Sequence, residues 1–100
     1  MEKIIAILTQ KGSLSKGLQE NTTVNLFRLE NEEVKEVESV KLESTTDNHF
    51  SLMMALKKVN TVYTGSINND LRNVLSRLGI MIKCKDEIAN DQFINHFIFD

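Results

Sequence analysis

The sequence predicts an α/β fold, a mixed sheet with helices packed on it, and three observations carry that reading. The run Ile4-Ile5-Ala6-Ile7-Leu8 is continuously apolar and rich in β-branching, as suits a strand covered on both faces. Beyond Thr46, segments with apolar residues at helical spacing alternate with short β-branched runs. The glycines Gly12, Gly17, Gly65 and Gly79 fall between apolar segments and act as punctuation, and no proline interrupts the chain.

Taken in order, residues 4–8 form the first strand. The polar stretch 9–22, with Gly12 and Gly17, reads as a long loop. Val24-Asn25-Leu26-Phe27-Arg28-Leu29 nearly alternates and runs into a turn at Asn31-Glu32-Glu33, so a second strand enters a hairpin. In residues 34–42, Val34, Val37 and Val40 recur every three residues while Val40 and Leu42 also fit a period of two. The valines favour a third strand, irregular near Val37 and wet on one face at a sheet edge.

Ser44-Thr45-Thr46-Asp47 offers N-caps for a first helix over about residues 48–58, with Phe50, Met53 and Met54 as its inner stripe. Residues 60–64 make a fourth strand that stops at Gly65. Leu71, Val74, Leu75 and Leu78 are spaced i, i+3, i+4, i+7, and Gly79 follows directly, which defines a second helix with its C-terminal signal. Residues 80–84 form a fifth strand. Asp86 caps a third helix carrying Ala89, Phe93 and Phe97 with Ile94 and Ile98 beside them. A hairpin must be antiparallel and strand-helix-strand units parallel, so the five strands are expected in the spatial order 3-2-1-4-5.

Composition bounds the function. One hundred residues, 41% apolar, supply one core, and residues 1–100 are expected to form a single domain. Twelve basic and fourteen acidic side chains leave a formal net charge of −2, which argues against nucleic acid as a partner. Cys84, alone, allows neither an internal disulfide nor a multi-thiolate metal site, and it points to a reducing, cytoplasmic setting. The five-residue opening run is too short for a membrane span or a signal-peptide core. No Ser/His/Asp set, P-loop, GxGxxG or CxxC is present, and the first strand ends in Thr9-Gln10 without the carboxylates of a metal-dependent nuclease, so no enzyme is expected.

The segment Val59-Asn60-Thr61-Val62-Tyr63-Thr64-Gly65-Ser66-Ile67, followed by Leu71, Leu75 and Leu78-Gly79-Ile80-Met81-Ile82, resembles the dinitrogenase iron-molybdenum cofactor biosynthesis family. That family includes the NifX-like and NafY-like proteins and the C-terminal domain of NifB. Ile4, Ala6 and Ile7 with the Lys11-Gly12 turn are similar to the family's opening strand. The resemblance spans most of the chain and implies an RNase H-like sheet with three helices in a single NifX-like domain. It also implies a non-catalytic role in binding or carrying an iron-molybdenum or iron-sulfur cofactor precursor. The chain departs from the family pattern where a His-Phe-Gly triplet is usual, because Gly17-Leu18-Gln19 stands there. Leu8 replaces a proline, and Asn68 replaces the second glycine of the loop after the fourth strand.

The candidate binding residues follow from the same segments. The loop Gly65-Ser66-Ile67-Asn68 joins a parallel strand to a helix N-terminus, where free amides and the helix dipole favour an anion. The plainer alternative is that Asn68 or Asn69 caps the helix and Gly65 permits the turn. Asp70 already places a carboxylate in the first turn. Lys11 and Lys16, in the loop after the first strand, could complete a pocket on the same rim. His49 is the candidate metal or cluster ligand; a lone histidine near a helix start is otherwise a surface or capping residue. His96 reads as solvent-facing, Cys84 as an inert core thiol, and Met53-Met54 as core filler.

Two functions therefore stand side by side. One is a cofactor carrier that meets a metal cluster or small anionic ligand at the rim. The other is a protein-interaction or regulatory module that keeps the fold without the cofactor, working through the acidic hairpin or the last helix. Phe97, Ile98 and Phe99 put apolar residues on more than one face of that helix, which suits deep packing or a homodimer.

Overall fold

The computed structural model describes residues 2–11, 13–31, 33–42 and 46–84. The elements are β1 (Glu2–Gln10), β2 (Ser13–Leu14), β3 (Thr23–Glu30), β4 (Glu33–Lys41), α1 (Asp47–Leu56), β5 (Thr61–Tyr63), α2 (Asn69–Arg77) and β6 (Met81–Lys83). They form one six-stranded mixed sheet, ordered β4-β3-β1-β5-β6, with β2 paired to β1 off that path. With β2 set aside, this is the order expected for the five strands read from the sequence. The third helix expected from Asp86 onward lies outside the described residues.

β1 is central because its apolar run is buried on both sides. Ala6 and Leu8 join one core cluster, Ile5 and Ile7 the other, and all four are buried. It pairs antiparallel with β3 and parallel with β5, which pairs parallel with β6. Both described helices lie on the Ala6 side. Phe50 and Met54 from α1 and Leu71 and Leu75 from α2 share that cluster with Val24, Leu26, Val62 and Ile82. The opposite side carries Ile5, Ile7, Phe27, Leu29 and Tyr63, with Leu14 packed against them.

One sequence expectation needs correction. The stretch 9–22 is not one open loop. β1 continues through Gln10 and turns back at once, because Gln10 pairs with Ser13 and Thr9 with Leu14. Lys11 takes a positive φ of 54° in that tight turn. The irregularity expected near Val37 in β4 falls at Lys35: Leu29 faces Val34 while Arg28 faces Glu36, so Lys35 is the extra residue of a bulge.

Both described helices end alike. After α2, Gly79 at φ 78° donates its N–H to Ser76, and the Ile80 N–H returns to Leu75. After α1, Lys58 at φ 59° donates to Ala55 and Val59 to Met54, the same paired closure. In each case the residue past the turn, Ile80 or Val59, is buried against the helix it closes. Lys58 therefore holds a left-handed conformation that costs a side-chain-bearing residue energy. Lys58→Gly is expected to stabilise the fold by about 0.5–1 kcal/mol, less the extra chain entropy of glycine in the unfolded state. A urea midpoint that rises with an unchanged slope shows this, and a midpoint that stays put or falls refutes it.

Candidate functional site

The ends of β1 and β5 lie side by side, since Ile5, Ala6 and Ile7 pair in parallel with Thr61, Val62 and Tyr63. β5 stops there while β1 runs on, which would leave a notch beyond Thr64. The returning segment fills that notch. The Ser15 N–H donates to the Leu8 carbonyl at 2.8 Å, and the Ser15 carbonyl then accepts the Gly65 N–H at 2.7 Å. The same carbonyl accepts the Thr64 hydroxyl at 2.8 Å. One step further on, Lys16 and Ser66 make an isolated parallel bridge.

Gly65 is required by this approach rather than by its backbone angles. A Cβ there would stand 3.0 Å from the Ser15 carbonyl oxygen and 3.4 Å from that of Leu14. Gly17 serves the segment differently, turning it at φ 81°.

Three fully buried hydroxyls lock the contact. Ser15, Thr22 and Thr64 are each no more than 1% exposed. Ser15 Oγ donates its one proton to the Gly17 carbonyl at 2.7 Å, so the 3.1 Å contact between Ser15 Oγ and Thr22 Oγ1 must be donated by Thr22. Thr64 Oγ1 lies 2.8 Å from the Ser15 carbonyl and 3.2 Å from that of Ser66; its single proton serves the shorter contact. The Gln10 side-chain amide ties down the Glu20 carbonyl at 2.8 Å. No buried side-chain polar atom among the described residues lacks a partner. This hydroxyl set was not singled out from the sequence, where Ser15, Thr22 and Thr64 look like ordinary loop residues.

The structure thus brings Lys16 beside Ser66, as the shared rim required, and puts Gly65, Ser66, Ile67 and Asn68 between β5 and α2. One of the amides proposed for an anion, that of Gly65, is engaged elsewhere. Gly65 gives its N–H to Ser15, and Asn68 Oδ1 accepts the Leu71 N–H at 2.7 Å as the α2 cap. Ile67 is half-buried and packs on the helix-side core. Lys11 is exposed in the β1–β2 turn, and Lys16 is exposed beside the bridge. His49 is exposed in the first turn of α1, with its backbone N–H on the Thr46 cap at 3.3 Å. No group of three or more His, Cys, Asp or Glu side chains among the described residues is placed to hold a metal ion. His49 does not fit a multidentate metal or cluster site formed by the described residues, though it could offer a single imidazole.

Cys84 is half-buried beside Arg72, whose guanidinium lies 3.1 Å from Sγ, and Lys83 Nζ stands 5.5 Å over the Tyr63 ring. Met54 is buried in the core, as read from the sequence, whereas Met53 only borders it. No described helix is long and apolar enough to cross a membrane.

These elements define a mixed α/β fold whose strand-end rim is closed by its own chain. No family model and no curated protein matches the sequence. Among solved structures, the chain is similar to PH0822 with a TM-score of 0.71 at 18% identity, over 81% of this chain and 75% of that one. It is also similar to MJ0327 of Methanocaldococcus jannaschii, provisionally described as a dinitrogenase, with a TM-score of 0.69 at 17% identity. That match covers 99% of this chain and 90% of the other. At such identities the likeness establishes a shared fold.

Proposed function

We propose that the protein is a non-catalytic accessory domain of the dinitrogenase iron-molybdenum cofactor type, built on an RNase H-like sheet. The similarity to a structure described as a dinitrogenase over nearly the whole chain supports this reading, and so do the sequence segments from Val59 to Ile82. Of its two forms, carriage of a metal cofactor and interaction with another protein, the geometry favours interaction. The single observation behind that preference is the Ser15 carbonyl on the Gly65 amide at 2.7 Å. An anion on the Gly65 amide would have to displace a contact that also satisfies the Thr64 hydroxyl. Leaving such buried groups unpaired costs about 1–3 kcal/mol each.

A carrier would need Lys16 and His49 to act with the free amides at the start of α2, around Asn69 and Asp70, and to accept an iron-molybdenum or iron-sulfur precursor as cargo. The test is anaerobic reconstitution with iron, sulfide and molybdate, followed by desalting and elemental analysis. The interaction reading expects metal at the level of a non-binding control protein. Stoichiometric metal that is lost in His49→Ala or Lys16→Ala would establish carriage instead.

A further inference from the structure

β4 is a nine-residue edge strand whose residues are exposed along almost its whole length. Its inner side pairs with β3 from Glu30/Glu33 to Thr23/Lys41, and among the described residues no strand pairs with its outer side. An edge of this kind is a template for another strand. From this edge we infer that β4 receives an extended segment of a partner protein in which basic and apolar residues alternate, a proposal that rests on the interaction reading above.

The partner's chemistry follows from the two faces of the strand. Residues directly opposite across β3 and β4 share a face. Glu36, Glu38 and Val40 therefore stand on the helix side with Arg28, Leu26 and Val24, and Val37 stands on the other side with Phe27. The bulge at Lys35 brings Val34, opposite Leu29, to the same side as Val37. Val34 and Val37 are 46% and 58% exposed, an apolar border to the buried Phe27 and Leu29. On the helix side Glu2, Glu36 and Glu38 meet Arg28 and Lys57, three acids against two bases, in contacts of 2.8–3.3 Å. The carboxylates stay more than half exposed and have lone pairs to spare for one more cation.

A second copy of the chain fits less well. Twofold pairing about Val37 sets Glu36 opposite Glu38 twice, and pairing about Glu38 sets that carboxylate against itself, which is destabilising. Pairing about Ser39 opposes Glu38 to Val40 and Val37 to Lys41, gaining neither charge nor apolar pairs. A strand with Lys or Arg facing Glu36 and Glu38, and Val, Ile or Thr facing Val37, gains both.

The test titrates the full chain with a blocked peptide of alternating lysine and valine, and with its glutamate-valine counterpart, following backbone amides by NMR. The lysine peptide should bind preferentially, more weakly as salt rises, and slow the exchange of amides within residues 36–41. Val37→Lys should weaken it about fivefold, and Glu36→Lys with Glu38→Lys should reverse the peptide preference. These surface changes leave the core untouched. Equal binding by wild type and the double variant, shifts centred elsewhere, or no binding at millimolar peptide would each overturn the edge proposal. So would a dimer in light scattering that Val37→Lys dissolves. Stoichiometric metal loading in the reconstitution would instead remove the interaction reading beneath it, so the two failures are read separately.

Discussion

Truncating Phe50 to alanine is expected to destabilise the fold by about 3–5 kcal/mol, the usual cost of deleting a fully buried aromatic side chain. Phe50 is 0% exposed and is the bulkiest of the side chains buried that deeply. It enters from the first turn of α1, where the Thr46 cap has just satisfied the His49 amide, and reaches the cluster that holds Ala6, Leu8 and Val24. A domain of this size has only about 5–15 kcal/mol in total, so the variant should populate unfolded chain at room temperature. Urea unfolding followed by far-ultraviolet circular dichroism measures it. A loss below about 1 kcal/mol would mean that α1 does not anchor on the central strand as described.

Gly65→Val should cost about 1–3 kcal/mol and do so locally, through overpacking at the rim. The added atoms meet carbonyl oxygens of Ser15 and Leu14, backbone groups that cannot swing aside as a flexible side-chain tip would. Ser15 is held on both sides, by Leu8 and by Gly65 itself, so relief requires the 13–17 segment to lift. The companion variant Gly79→Ala separates sterics from backbone angle. A Cβ at Gly79 meets nothing within 4 Å, so its cost comes only from φ 78°, about 1 kcal/mol. NMR of both variants should show shifts at Ser15, Thr22 and Thr64 for Gly65→Val and none there for Gly79→Ala. Shifts at these hydroxyl residues in both variants would contradict the close approach.

The main strands and the two described helices were legible because each carries either a continuous apolar run or an apolar period. Ile4 to Leu8 is apolar at every position and Ile5 to Leu8 end up buried on both faces, and the Leu71-Leu75 spacing with Gly79 marks α2 and its closure. The cap alternative for Asn68 was also readable, since an amide one residue before a helix commonly accepts an N–H from its first turn. β2 was not legible. Two residues, Ser13 and Leu14, are too few for any alternation to register. The valines at 34 and 37 looked helical in spacing because the bulge at Lys35 returns a three-residue step to the same side of a strand.

The candidate site was half legible for a related reason. Strand-end position identified Gly65 to Asn68 and the lysine loop as neighbours, and Lys16 does meet Ser66. Whether two neighbouring loops leave a gap or fill it depends on where one carbonyl points, and Ser15 carries no pattern that announces this. Lys58, in a position that favours glycine, hid the closure of α1 in the same way.

Amide hydrogen exchange at Gly65 tests the closed rim most directly. If the Ser15 carbonyl occupies that N–H, Gly65 should exchange as slowly as Val62 and Ile7 in the paired strands and speed up when the Ser15–Thr22 hydroxyl contact is removed by Thr22→Val. Exchange at the rate of an unstructured glycine in the native protein would show an open notch beyond β5, and with it a rim free to take an anion.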